Sequence, residues 1–304
     1  MITLLCPGQG AQAMGMGKAW HDASAAARRV FADADAILRE DLGSNLSELC
    51  FGGPVDRLNQ TDISQPAIYT VSVACFEGLR ERGAVGEFDA AAGLSLGEYT
   101  ALFLAGAFSF EDGLRLVAER GRLMQDAAVR SQGGMVAVIG ADEAQAQAVC
   151  DQARGSDVLV CANFNAPGQI VLSGSLAACD RAVEAAAAAG LRASKLTVAG
   201  AFHSPLMQPA ADAMATALEG VELGNLRVRV WSNVTAEPHV PGNPELVRQR
   251  LVEQIVRPVR WAESCAGLVA AGCLKYHELG PGTVLKGLMR RINRSCEVTN
   301  HDQP

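Results

Sequence analysis

Residues Ala90-Ala91-Ala92-Gly93-Leu94-Ser95-Leu96-Gly97-Glu98-Tyr99-Thr100-Ala101-Leu102 run a short apolar segment into a small-residue turn and out again with helical character. A serine held in so tight a strand-to-helix turn needs glycine two residues before and two after it, because neighbouring chain passes where a Cβ would stand. The spacing predicts a nucleophile elbow, with the Ser95 hydroxyl projecting from the end of a sheet. The helix that follows aims unpaired N–H groups and partial positive charge at the same place, where an oxyanion would form. The bare G-x-S-x-G pattern also occurs as an ordinary turn. The strand before it and the helix after it favour the elbow.

The 304 residues, 49% hydrophobic and 19% charged, can bury a large core and fill one large unit plus a smaller one. No run approaches the roughly 18 apolar residues that a membrane span needs, and Met1-Ile2-Thr3-Leu4-Leu5-Cys6 lacks the charged and apolar regions of a leader, so a cytoplasmic protein is expected. Nine cysteines stand singly, with no C-x-x-C and no histidine at ligand spacing; they read as reduced, mostly buried thiols, and no metal is expected. A net charge of −7 argues against nucleic acid as a partner.

Outward from the elbow, Ile2 to Cys6 predicts a first buried strand ending in the glycine-rich loop Pro7-Gly8-Gln9-Gly10-Ala11-Gln12. Gly8 to Ala13 fits a G-x-G-x-x-A dinucleotide fingerprint, but no acidic residue ends a second strand downstream; Asp33 and Asp35 fall in a helical pattern. The preferred reading is a loop whose N–H groups face the top of the sheet. Helices are predicted over Ser24 to Leu38 and Ile63 to Arg82, a strand over Phe88 to Leu94, and a helix from a Ser109 cap to about Ala128. Further strands are expected at Val228 to Ser232 and Lys275 to Leu279, with a last helix from about Thr283. Between Gly133 and Ala199 the pattern is β-α-β-β-α-β, the order of a ferredoxin-like unit, which predicts a small domain (131–199) inserted into a discontinuous large one (1–130 and 200–304).

Three segments carry charge that bears on function. Arg115 and Arg122 have acids three or four residues away, but Arg120 has only Leu116, Val117, Leu123 and Met124 there. Its guanidinium therefore sits in the buried stripe without a partner on its own helix and suits a carboxylate gripped by two hydrogen bonds, either of an acidic substrate or of an acid elsewhere in the core. Of five histidines, His21 lies in a polar helix start, His239 in a Pro/Gly loop, His277 in a strand and His301 in the tail; His203 alone stands at the domain junction, in Ala201-Phe202-His203-Ser204, and is the candidate base for Ser95. Lys286, Arg290, Arg291 and Arg294 share the last helix with no acid among them, which makes that helix a candidate surface for an acidic partner.

Seven motifs in fixed order resemble the malonyl-CoA:acyl carrier protein transacylases of fatty acid synthesis over essentially the whole chain. They are Pro7 to Gln12, Gly93 to Tyr99, Arg120 to Gln125, Asn163 to Gln169, Ala201 to Ser204, Gln254 to Val259 and Gly280 to Gly282. The resemblance implies a large α/β-hydrolase-like domain with a parallel sheet, an inserted small ferredoxin-like α+β domain, and an active site between them. It implies Ser95 as nucleophile, His203 as base without a triad acid, and Gln9 and Leu96 as backbone donors of an oxyanion hole. It also implies Arg120 as the grip on the malonyl carboxylate with Met124 beside it, and Gln254 as the residue whose main chain orients the histidine. The activity implied is malonyl transfer from malonyl-CoA to acyl carrier protein, with no cofactor beyond the carrier's own phosphopantetheine and with a monomer expected. A malonyltransferase of a polyketide pathway and a serine thioesterase or esterase are the alternatives. Leu94 departs from the histidine common at that position, and Ala201-Phe202-His203 resembles the form associated with malonyl over methylmalonyl.

Overall fold

The computed structural model describes residues 1–304. Two sheets organise it. The first holds five strands, all parallel, in the order β7-β2-β1-β8-β9: β1 (Ile2–Cys6), β2 (Ala90–Gly93), β7 (Arg229–Trp231), β8 (Lys275–Leu279) and β9 (Glu297–His301). Side chains of a strand alternate between faces, so a sheet covered on both sides needs apolar residues at every position. Apart from the buried Thr3, β1 and β2 meet that demand: Leu4, Cys6 and Ala91 join the main 54-residue core, while Leu5, Ala90 and Ala92 join a 14-residue core on the other face. The helices Thr61–Glu81 and Phe110–Ser131 pack on each other and close the main core.

The second sheet is antiparallel, in the order β4-β5-β3-β6, from β3 (Gly133–Ile139), β4 (Leu159–Ala166), β5 (Gln169–Ser175) and β6 (Arg192–Lys195). The helices Glu143–Arg154 and Leu176–Ala188 complete a β-α-β-β-α-β unit around its own 16-residue core. Asp142 opens the first of them with a capping box closed by Gln145. Main-chain bonds tie this unit to the large one: Phe164 N–H donates to the Val259 carbonyl and Val259 N–H to that of Ala162, both at 2.9 Å.

Several expectations need correction. The strand before the elbow starts at Ala90, not Phe88, and β6 stops at Lys195 instead of Val198. His301 is not in a loose tail: it ends β9, and its ring stacks on that of His277 with 5.0 Å between centroids. His21 is not at a polar helix start but in the last turn of the helix Lys18–Ala23, packed edge-on against Phe31 and Phe51. No helix is long and apolar enough to cross a membrane.

Candidate active site

Ser95 follows β2 and precedes the helix Gly97–Leu104, with φ at +54°, in the left-handed region that L side chains rarely adopt. Three glycines make the turn fit. A Cβ on Gly97 would lie 2.1 Å from the Cys6 carbonyl oxygen, one on Gly93 would lie 1.9 Å from the Gly97 backbone, and one on Gly8 would lie 2.2 Å from the Leu94 carbonyl oxygen. Asn233 clamps the elbow from behind: its Oδ1 accepts from Ser95 N–H at 2.6 Å and its Nδ2 donates to the Gly93 carbonyl at 2.7 Å.

His203 also has a left-handed φ, +56°, and its Nε2 stands 2.9 Å from Ser95 Oγ. Its Nδ1 lies 2.7 Å from the carbonyl oxygen of Gln254. A carbonyl only accepts, so Nδ1 carries the proton and Nε2 presents a lone pair to the hydroxyl. Burial, then the positive charge of Arg120, hold the imidazole down to about 4 from an ordinary 6.5, against the pull of the Gln254 carbonyl. At neutral pH the ring is uncharged and ready to take a proton.

Arg120, 1% exposed, projects from the helix Phe110–Ser131 onto the same spot. Its Nη1 donates to Gln65 Oε1 at 2.6 Å, and its Nη2 donates to Ser95 Oγ at 3.0 Å and to Gln254 Oε1 at 2.8 Å. All three acceptors are neutral, and Nε has no acceptor at all. No internal carboxylate occupies the fork.

A cavity of about 190 Å³ opens over these groups. Gln9, Leu96, Met124 and Leu94 line it from the large unit, and Met135, Asn163, Asn165 and Val171 from the second sheet. Gln9 and Leu96 both line it, and their backbone N–H groups have no acceptor in the chain. Ser95, His203, Arg120, Gln9, Leu96 and Met124 therefore converge, with Gln254 immediately behind them. Lys286, Arg290, Arg291 and Arg294 lie apart, exposed on the helix Val284–Ile292 and the turn after it; the exposed Val284 and the buried Leu288 of the same helix line the cavity.

Sequence reasoning missed four supports: Asn233, Gln65, and the buried pair of Glu98 and His239, whose Oε1 and Nε2 are 2.7 Å apart. Glu98 carried a signal, since a charged residue in the first turn of an otherwise apolar helix needs a buried partner.

An elbow serine and an imidazole oriented by a carbonyl, set between a parallel sheet and a ferredoxin-like unit, fit a serine-dependent acyltransferase; residues 3–299 match the acyl transferase domain family. A malonyl CoA-acyl carrier protein transacylase of Bacillus subtilis is 41% identical over all of this chain and 94% of its own length. The crystal structure of malonyl-CoA:acyl carrier protein transacylase from Xanthomonas oryzae pv. oryzae superposes with a TM-score of 0.93 at 40% identity, covering 100% of this chain and 95% of the other. A malonyl-transacylase in complex with its type II PKS acyl-carrier protein gives 0.94 at 36% identity, covering 100% and 96%. The chain belongs to the malonyl-CoA:acyl carrier protein transacylase family.

Proposed function

We propose that this chain transfers a malonyl group from malonyl-CoA to the phosphopantetheine thiol of acyl carrier protein in fatty acid synthesis, through a malonyl ester of Ser95. His203 Nε2 takes the hydroxyl proton as Ser95 Oγ attacks the thioester carbonyl, and the oxyanion accepts from Gln9 and Leu96 N–H. The C–S bond then breaks, and the proton on His203 passes to the CoA sulfur. The carrier thiol runs the same steps in reverse, losing its proton to His203 as its sulfur attacks the ester. Each oxyanion donor contributes on the order of 10² to 10³ in rate. Arg120 grips the malonyl carboxylate, Met124 packs beside it, and the acyl chain so held leaves little room for water at the ester.

The observation that carries this reading is the 2.9 Å contact between Ser95 Oγ and His203 Nε2 beside a guanidinium with no carboxylate partner. Lys286, Arg290, Arg291 and Arg294 form the docking face for the acidic carrier, since the helix that bears three of them also lines the cavity through Val284 and Leu288. A monomer is the simplest active form of this reading, and malonyl-CoA as donor supports a cytoplasmic setting.

Intact-protein mass spectrometry after exposure to malonyl-CoA tests the proposal. One malonyl group per chain, absent from Ser95→Ala, is expected; continuous CoA release with no acyl-enzyme would make the protein a thioesterase. The relative solved with a type II PKS carrier favours a polyketide carrier as the second reading. KM measured for both carriers separates the two.

A further inference from the structure

Arg120 brings a full positive charge into a site that is 1% exposed, yet all its hydrogen bonds end on neutral oxygens. Such a charge is expensive to bury without compensation. The compensating charge stands one side chain further away. Glu98, fully buried, takes its hydrogen bond from the other end of the amide that touches Arg120: Gln254 Oε1 accepts from Arg120 Nη2 at 2.8 Å, while Gln254 Nε2 donates to Glu98 Oε2 at 2.7 Å. Glu98 is held there by Asn233 N–H at 3.0 Å on the same oxygen and by His239 Nε2 at 2.7 Å on the other.

We propose that the Gln254 side chain is a spacer between Glu98 and Arg120, and that this pair of positioning residues sets the preference for acyl groups bearing a carboxylate. The proposal rests on the reading of Arg120 as the malonyl anchor. A carboxylate in direct contact would satisfy the guanidinium fork on two bonds and would have to be displaced by substrate. An amide in between lies with its oxygen toward the cation and its N–H toward the anion. It relays the attraction while leaving Arg120 Nε without an acceptor. The charge is thus balanced and still available.

The alternative is that Glu98 only braces the elbow. The transposed double variant E98Q/Q254E separates the two, because it moves the carboxylate one position toward Arg120 while keeping net charge and side-chain size. The readout is the ratio of kcat/KM for malonyl-CoA to that for acetyl-CoA. A fall in the ratio of about 10- to 100-fold is expected, the worth of a hydrogen bond between charged groups. Equal losses on both substrates would overturn the proposal. If the double variant does not fold, Glu98→Gln alone decides: removing the balancing charge should raise the ratio several-fold, and an unchanged or lower ratio overturns it. Arg120→Ala keeps the two readings apart. If it leaves the ratio at the wild-type value, the anchor itself fails; if it lowers the ratio while the transposition does not, only the spacer fails.

Discussion

The carbonyl oxygen of Gln254 lies 2.7 Å from His203 Nδ1, and this one contact decides which ring nitrogen faces the nucleophile. It does the orienting that a carboxylate performs in a catalytic triad, but without adding negative charge beside the ring. Burial, and then the charge of Arg120, outweigh the pull of this carbonyl, so the imidazole stays neutral well below its ordinary range.

That neutrality makes a pH prediction. His203 in the folded protein takes its proton only near 4, whereas the unfolded side chain does so near 6.5, so between these values the unfolded state binds more protons. The stability this ring contributes is level above the window and falls as pH drops through it. Denaturant melts from pH 7 to 4 should show a loss that His203→Gln removes; identical profiles would contradict the assignment. Over the same range kcat/KM for malonyl loading should stay flat until near pH 4.

Replacing His203 by alanine should lower the loading rate about 10²- to 10⁴-fold, the usual worth of a positioned base. Rapid-quench measurement of the malonyl-enzyme reads this directly. A loss of less than about tenfold would mean that another group takes the proton.

Arg120→Ala should raise KM for malonyl-CoA by about 10- to 100-fold, since it removes charge-assisted bonds to the substrate carboxylate. Acetyl-CoA has no carboxylate, so its rate should fall much less. Equal changes for both would show that the guanidinium serves the dyad alone.

Gly97→Ala should destabilise the protein by about 3 kcal/mol, because its Cβ would stand 2.1 Å from the Cys6 carbonyl oxygen, and backbone cannot give way as a side chain can. A denaturant midpoint equal to wild type would mean that the elbow does not pack against β1 as described.

Reversing Arg290 and Arg291 to glutamate should raise KM for the carrier more than for malonyl-CoA, with the excess shrinking as salt is added. Both lie on the exposed side of the helix Val284–Ile292, away from the cavity. A carrier KM that does not move would place docking elsewhere.

The chemistry was legible wherever one segment carries its own signature. Glycine spacing announced Ser95, and the apolar neighbours of Arg120 announced a cation with no local partner. The supports were not, because Gln65, Glu98, Asn233 and His239 come from three separate stretches of chain, and only the packing of helices on the sheet brings their polar ends together. His239 illustrates the difficulty: in the sequence it lies between proline and valine in a loop, yet in the fold its ring is buried against Glu98. β9 escaped notice for a related reason. Its residues Glu297–His301 are mostly polar, and their extended form is set by pairing with β8, a partner more than 20 residues earlier in the chain.

Part of the cavity wall comes from a unit with its own core, tied to the rest by the Phe164 and Val259 main chain and by Met135 and Val171, which pack into the main core. Nucleophile, base and guanidinium all stand outside that unit. Acyl-chain scope and reactive machinery therefore rest on different segments: Met135, Asn163 and Val171 shape the pocket, while Ser95 and His203 make and break the bonds. Exchanging residues 133–195 between relatives is accordingly the most economical route to altered scope.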